Sequence, residues 1–260
     1  MVARRNMQYF GGKSRLVKHL KPIIEAELGR PEVTHYWEPF VGGGSVFCNI
    51  VTDKIKVASD ACAPLIALWE HGQAGGSVPT EVSESEYAAA KRGECEPWRQ
   101  AFIGFACSFG GKWFGGYARD TRGGNYALQG HNSLLNKARP LKTNDVFVSL
   151  DYRACVSLLC DQEGDGMAVV YCDPPYAGTT GYSAVAPWDV GDFWEQCRYM
   201  AQQHIVLVSE YQAPADVPCV FERAVKTEIR SRTTRLDRVE RLFRLAPPAF
   251  PPLVPTWRLT

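Results

Sequence analysis

No stretch of this 260-residue sequence is apolar for long enough to cross a bilayer as a helix. The first residues carry no apolar run of the kind a secretory signal has. Nine cysteines include no Cys-x-x-Cys pair. An odd count without a signal segment reads as reduced thiols in a cytoplasmic protein, not as a disulfide framework. Neither sign of charge is in surplus, since 29 Lys and Arg face 28 Asp and Glu for a formal charge of +1. That balance excludes a uniformly basic nucleic-acid coat but leaves room for local patches. Internal repeats and low-complexity segments are absent, apart from a proline-rich stretch from Pro247 to Pro255. What remains is a chain with 45% hydrophobic residues, long enough for one large α/β domain that can carry an inserted subdomain.

The chain is organised around Val169-Val170-Tyr171-Cys172-Asp173-Pro174-Pro175-Tyr176. The apolar run is too short for a free-standing helix and rich in β-branched and aromatic residues, which predicts a buried strand. The two prolines fix φ and remove two backbone donors, so the turn presents carbonyls beside a carboxylate and an aromatic ring. Open α/β sheets place their chemistry at that end of a strand. Asp173 and the Pro174 carbonyl can accept the two hydrogens of an exocyclic amine while Tyr176 stacks on the ring that bears it. Nothing in the cluster is a nucleophile, so the attacking atom must be the substrate's own nitrogen. The plainer alternative is a strand-ending turn whose Asp caps a backbone N–H.

Met1 to Lys21 carries Arg4, Arg5, Lys13, Arg15, Lys18 and Lys21 and no acid. Tyr9-Phe10-Gly11-Gly12-Lys13-Ser14 is a glycine turn before an amphipathic helix with Leu16, Leu20, Ile23, Ile24 and Leu28 on one stripe. Ser14 is placed to cap that helix and Gly29 to end it. The turn lacks the first glycine of a Walker A loop. Next, Glu38-Pro39-Phe40-Val41-Gly42-Gly43-Gly44 predicts a strand end, an acid, a glycine loop and then a helix start. Lys56-Val57-Ala58-Ser59-Asp60 is a second strand ending in a carboxylate, where doubly wound folds receive two ribose hydroxyls. A glycine loop followed by Asp60 suggests a nucleoside-bearing ligand.

After a helix implied by Leu65, Ile66, Leu68 and Trp69, the α/β alternation lapses. Ser83-x-x-Glu86 opens a short charged helix as a capping box, and Trp98 to Cys107 reads as a more apolar one. From Lys112 to Lys142 six basic residues face Asp120 alone. Lys112, Trp113, Tyr117, Arg119, Arg122 and Asn125 stand among glycines there, a mixture suited to holding phosphates and probing bases. A solvated charged loop is the alternative. The alternation resumes at Val146 to Asp151, with a helix over Tyr152 to Cys160, the Asp173 strand, a helix over Phe193 to Gln203 and a strand over His204 to Ser209. Thr179, Thr180, Gly181 and Tyr182 make a loop able to close over a substrate. Val220 to Thr227 and Val239 to Leu245 read as antiparallel strands around Arg230, Arg232, Arg235 and Arg238, either a phosphate-contacting loop or a charged hairpin tip.

Tyr9-Phe10-Gly11-Gly12-Lys13, Glu38-Pro39-Phe40-Val41-Gly42-Gly43-Gly44 and Asp173-Pro174-Pro175-Tyr176 stand in that order. The chain thereby resembles the DNA adenine N6-methyltransferases of the Dam-like group, phage-type members in particular. The resemblance covers nearly the whole length, and the joint occurrence of the motifs is what makes it specific. It implies a Rossmann-like α/β sheet over residues 1–70 and 140–260 with a mostly helical target-recognition insertion over 71–139. It implies S-adenosylmethionine as methyl donor, bordered by Tyr9 and Lys13. The methionine part would lie on Glu38, Pro39, Phe40, Gly42 and Gly44, the ribose on Asp60 and the adenine near Asp151. Asp173, Pro174 and Tyr176 would hold a flipped adenine, with Asp173 also near the cofactor. The partner is double-stranded DNA, contacted through the insertion residues named above. No metal or membrane is involved, the expected state is a monomer with a dimer on DNA as the alternative, and the setting is a bacterial or phage-infected cytoplasm.

Chemistry supports the match. The lone pair of an adenine amino nitrogen is delocalised into the ring, and acceptors on both N–H groups favour the pyramidal nitrogen that attacks. The base must leave the duplex stack to be reached. Cytosine C5 methylation needs a cysteine nucleophile, and the one Pro-Cys pair, Pro218-Cys219, follows all the cofactor signals. Cytosine N4 methylation is nearer, but that class usually opens its Pro-Pro-Tyr turn with Ser. A glutamine methyltransferase acting on protein has Asn-Pro-Pro-Tyr and no need of a basic aromatic insertion. A catalytically silent DNA-binding protein on the same scaffold would need neither Asp173 nor the glycine loop.

Overall fold

The computed structural model describes residues 12–119, 123–161, 166–175, 188–226 and 237–253. Tyr9, Arg122, Tyr176, the Thr179 to Tyr182 loop and Arg230, Arg232 and Arg235 lie outside them.

Strand β4 (Met167–Cys172) is buried on both faces. Ala168, Val170 and Cys172 point to one apolar cluster, Val169 and Tyr171 to another. Side chains alternate across a pleated strand, so a strand buried on both sides must be apolar throughout. β5 (Ile205–Glu210) repeats the pattern, with Ile205 and Leu207 on one side and Val206 and Val208 on the other. With β1 (Val33–Glu38), β2 (Ile55–Asp60), β3 (Val146–Ser149), β6 (Cys219–Lys226) and β7 (Asp237–Leu245) they form one sheet in the order β3-β2-β1-β4-β5-β7-β6. β1 to β5 pair in parallel and β7 runs antiparallel between β5 and β6. This is a doubly wound sheet whose strand order reverses between β1 and β4, the place where such folds open a ligand crevice.

Helix α1 (Val17–Leu28) covers one face of the sheet and α6 (Tyr152–Asp161) and α7 (Val190–Met200) the other. Glu27 of α1 and Arg244 of β7, both buried, pair at 2.8 Å and join that helix to the antiparallel ribbon. Ser14 does not cap α1. Leu16 holds that position without a side-chain bond, and the Ser14 hydroxyl lies 3.2 Å from that of Ser45. Gly29 ends the helix as expected, with φ −70°. The α-helix expected after the glycine loop is also missing. A single 3-10 turn, Phe47–Asn49, is followed by extended Ile50, and Asn49 bonds back to the Ser45 carbonyl.

After α2 (Ala63–Gln73) come α3 (Glu84–Lys91), α4 (Pro97–Ala106) and α5 (Tyr126–Ala138). Among the described residues between α2 and β3 there is no strand, only a bridge between Ser108 and Tyr117. Ser83 and Glu86 form the capping box. The stretch shares its core with the sheet, since Tyr87, Phe102, Phe105 and Leu134 belong to the same buried cluster as Leu20, Leu65 and Tyr171. α5 is a helix the residue pattern hides. Its inner face is Ala127, Gly130, Ser133 and Leu134, and a Cβ on Gly130 would come within 2.6 Å of Ala106.

Candidate active site

β1 ends at Glu38, buried with 2% of its surface exposed. The Tyr36 hydroxyl donates to it at 2.5 Å. Burial pushes the carboxyl up to about 8, against the pull of the Tyr36 bond and of Lys56, while nearby Asp173 pushes the same way as burial. A carboxyl in this setting is an acid waiting for a cation or a strong donor.

The glycine loop follows, held from several sides. The Gly42 N–H donates to Asp60 Oδ2 at 3.1 Å and the Val41 N–H to the Ser59 carbonyl at 2.9 Å. The buried Trp69 indole of α2 donates to the Gly42 carbonyl at 3.0 Å. Lys137 of α5 donates to the Gly43 carbonyl at 2.5 Å. Gly44 has φ +62°, and a Cβ there would come within 2.6 Å of Trp69. Glycine at this position therefore makes room for the indole beneath the loop.

Asp60 ends β2 as expected and also receives the Cys62 N–H on Oδ1 at 2.9 Å. Burial lifts its carboxyl to about 6, with these two backbone bonds opposing. Each oxygen keeps a second acceptor site, so two hydroxyl donors can still be received. Buried Glu38 and part-buried Asp60 stand at adjacent strand ends with the buried glycine loop between them, a rim suited to a ligand with hydroxyls and a cationic end.

Asp173 follows β4, next to Glu38 on the neighbouring strand. The buried Lys13 ammonium lies 2.7 Å from its Oδ1. The first and third sequence motifs thus meet in an ion pair, with the middle motif beside them through Ser14 and Ser45. Pro174 is buried and Pro175 partly so. Beneath the turn, Tyr171 shares a hydrogen bond of 2.8 Å with Ser209.

Phe40 leaves the loop on the opposite side and packs on Tyr152, Trp188 and Phe193 with ring centres 5.6, 5.8 and 5.9 Å away. Pro39 before it is buried. Asp151 is exposed and caps α6 through the Ala154 N–H at 2.9 Å. Its neighbour Tyr152 is the ring stacked on Phe40.

The described residues singled out in the middle segment differ in their surroundings, and Arg122 lies outside the described residues. Tyr117 gives its hydroxyl to the Val82 carbonyl, Trp113 packs on Phe105 and Phe114, and Asn125 caps α5 while donating to the Thr80 carbonyl. Arg119 is exposed and doubly bonded to Glu84, and Lys112 is exposed. Trp69 and Lys137 are the site residues that sequence reasoning missed. No local motif marks a side chain that acts on a loop distant in sequence.

The sheet order, the acid-ended strands and the braced glycine loop define a methyltransferase of Rossmann-like architecture. Residues 9–82 match the family model described as D12 class N6 adenine-specific DNA methyltransferase. That span holds the Lys13 turn, the Glu38 to Gly44 loop and Asp60, and the Asp173-Pro174-Pro175 turn stands against it in space. The protein is a DNA methyltransferase acting on adenine N6. No curated protein sequence matches the chain. Among solved structures, two of the rRNA methyltransferase aviRa from Streptomyces viridochromogenes are similar at 15% identity. One match covers 92% of this chain and 88% of that one with a TM-score of 0.42, the other 89% and 84% with 0.41. A conserved hypothetical protein from Streptococcus pyogenes matches at 10% identity over 82% and 85% of the two chains, with a TM-score of 0.33.

Proposed function

We propose that this DNA adenine-N6 methyltransferase takes its methyl group from S-adenosylmethionine and acts on an adenine flipped from double-stranded DNA. The observation that carries the reading is the 2.7 Å pair between Lys13 and Asp173, which ties the turn before α1 to the proline turn after β4. S-adenosylmethionine, when bound, supplies a methyl group on a positively charged sulfonium. Asp60 is suited to its ribose hydroxyls, Glu38 and the loop from Pro39 to Gly44 to its methionine part with the cationic end, and the strand end at Asp151 to its adenine.

Asp173 accepts a hydrogen from the substrate amine and the Pro174 carbonyl accepts the other, which draws the nitrogen lone pair out of conjugation. Lys13 holds the Asp173 carboxylate in place, because one carboxylate oxygen can receive both an ammonium and an amine hydrogen. The substrate nitrogen takes the methyl group that the donor, when bound, would give, the new carbon–nitrogen bond replacing the carbon–sulfur bond. The surplus proton on the nitrogen passes toward Asp173 and then to solvent. Tyr176 supplies the stacking face for the extruded base. The helical stretch over 71–139 reads the target, with Lys112, Trp113, Tyr117, Arg119, Arg122 and Asn125 as its candidate DNA contacts. Exposed Lys112 and Arg119 meet phosphates first, and Tyr117 and Asn125 shape the surface around them. The enzyme works as a monomer in a bacterial or phage-infected cytoplasm.

The test is transfer of a tritiated methyl group to duplex DNA, with the product nucleosides separated. Label in N6-methyladenine supports the reading. Label in N4-methylcytosine overturns the base assignment, and unlabelled DNA from protein that binds it points to the silent scaffold.

A further inference from the structure

We infer that Lys137 is a positioning residue that links engagement of the helical segment to affinity at the cofactor loop. The inference rests on the reading of that loop as the S-adenosylmethionine site. Lys137 lies in the last turn of α5, a helix of the segment between β2 and β3, yet its ammonium donates to the Gly43 carbonyl at 2.5 Å. Of the side chains that act on it electrostatically, the one resolved is Cys48, whose thiol is pushed up to about 12 by burial and is neutral at ordinary pH. Among the described residues no carboxylate pairs with it. Burial lowers the Lys137 pKa, so the protein spends stability to keep a cation beneath this loop. An alkyl residue would fill the same space without that penalty, which argues that the contact itself is used.

The other end of α5 is equally fixed. Asn125 caps it and reaches the Thr80 carbonyl, and Gly130 sits against Ala106 and Phe102 of α4. The helix is a strut between the segment proposed to meet DNA and one carbonyl of the glycine loop. Trp69 holds the preceding carbonyl from α2, which does not belong to that strut. α5 also packs on α2 where Leu134 and Ala138 meet Gly72, so a shift of α5 bears on Gly43 directly and on Gly42 only through α2. Any such link is reciprocal, so DNA must tighten cofactor binding by the factor with which cofactor tightens DNA binding.

The experiment measures S-adenosylmethionine affinity by calorimetry, with and without a pool of random-sequence duplex DNA, for the parent, Lys137→Met, Lys137→Arg and Asp60→Ala. Lys137→Met should bind cofactor about tenfold more weakly and lose the tightening that DNA gives the parent. Lys137→Arg, which keeps the cation, should recover most of both. A near-parental melting temperature for Lys137→Met separates positioning from collapse. If that variant does not fold, Lys137→Arg and Lys137→Gln carry the comparison, with Gln weaker than Arg in the same two readouts. Parental affinity and parental DNA linkage in Lys137→Met, alongside weakened Asp60→Ala, would overturn the inference. Parental affinity in Asp60→Ala as well would instead remove the cofactor reading of the loop, and the role of Lys137 with it.

Discussion

At the scale of single residues, the site is a set of carboxyl groups kept in different states by their surroundings. Asp173 has a lysine at contact distance, whereas Glu38 is buried and raised to about 8. A proton held by folded Glu38 is released by the unfolded chain once pH exceeds the ordinary carboxyl value of 4.5. Stability should accordingly fall as pH rises from about 4.5 to about 8, and Glu38→Gln should flatten that fall in a series of thermal melts. Asp60, raised to about 6, acts in the same direction over a lower window. A cationic ligand or hydroxyl donors would draw both groups back toward ionisation. S-adenosylmethionine binding near pH 7 should then release protons, visible as a dependence of the calorimetric enthalpy on buffer ionisation heat. Absence of that dependence would separate Glu38 from the ligand. Asp173→Ala should lower the single-turnover rate by a factor on the order of 10² to 10³ while DNA affinity stays near parental. A near-parental rate would reduce the proline turn to a structural role.

At the scale of elements, the glycine loop is a backbone segment clamped between β2, α2 and α5. Gly44→Ala combines a left-handed φ of +62° with a Cβ driven into Trp69. The variant should lose on the order of 1–3 kcal/mol of stability and most of its cofactor affinity, as read by denaturant unfolding and calorimetry. Trp69→Leu in the same chain should relieve the clash but not the backbone strain. The elements best written in the sequence are those whose two faces demand the same chemistry. β4 is apolar throughout and β5 is apolar from Ile205 to Val208, with Ser209 and Glu210 closing β5 and Asp173 following β4. α5 is the opposite case, because Ala127, Gly130 and Ser133 fit close against α4 without forming an apolar stripe. The expected helix after Gly44 fails for a related reason. Turn chemistry foretells where a loop begins, but Ile50 turns extended after one turn of 3-10 helix. Asp60 and Glu38 are visible as strand-end acids, whereas the Lys13–Asp173 contact and the Lys137 brace depend on how distant elements pack.

At the scale of the whole molecule, the balance of charge hides a division of labour. The basic surplus between Lys112 and Lys142 is partly consumed inside the protein, since Lys137 braces Gly43 and Lys142 donates to the Thr52 carbonyl at 2.7 Å. Arg119 is paired with Glu84 at the surface, an exposed pair that is worth little and yields readily to phosphate. Replacing Lys112, Arg119 and Arg122 together by Ala should weaken duplex binding and reduce the slope of log affinity against log salt by roughly 2 to 3, with cofactor binding intact. An unchanged slope would move the DNA contact elsewhere.

The order β3-β2-β1-β4-β5-β7-β6 also governs how the enzyme can be made. On a ribosome, β1 gains β2 and then β3 on one flank, but its other flank waits for β4, more than a hundred residues downstream. Throughout that interval the nascent chain holds an open strand edge bordered by apolar faces, a surface on which like chains pair. Slow translation ahead of residue 167 or loss of a chaperone should therefore turn yield into aggregate, without any change in the finished enzyme. The same late strand delivers Asp173, so the unfinished chain cannot methylate anything until the edge that endangers it has been closed.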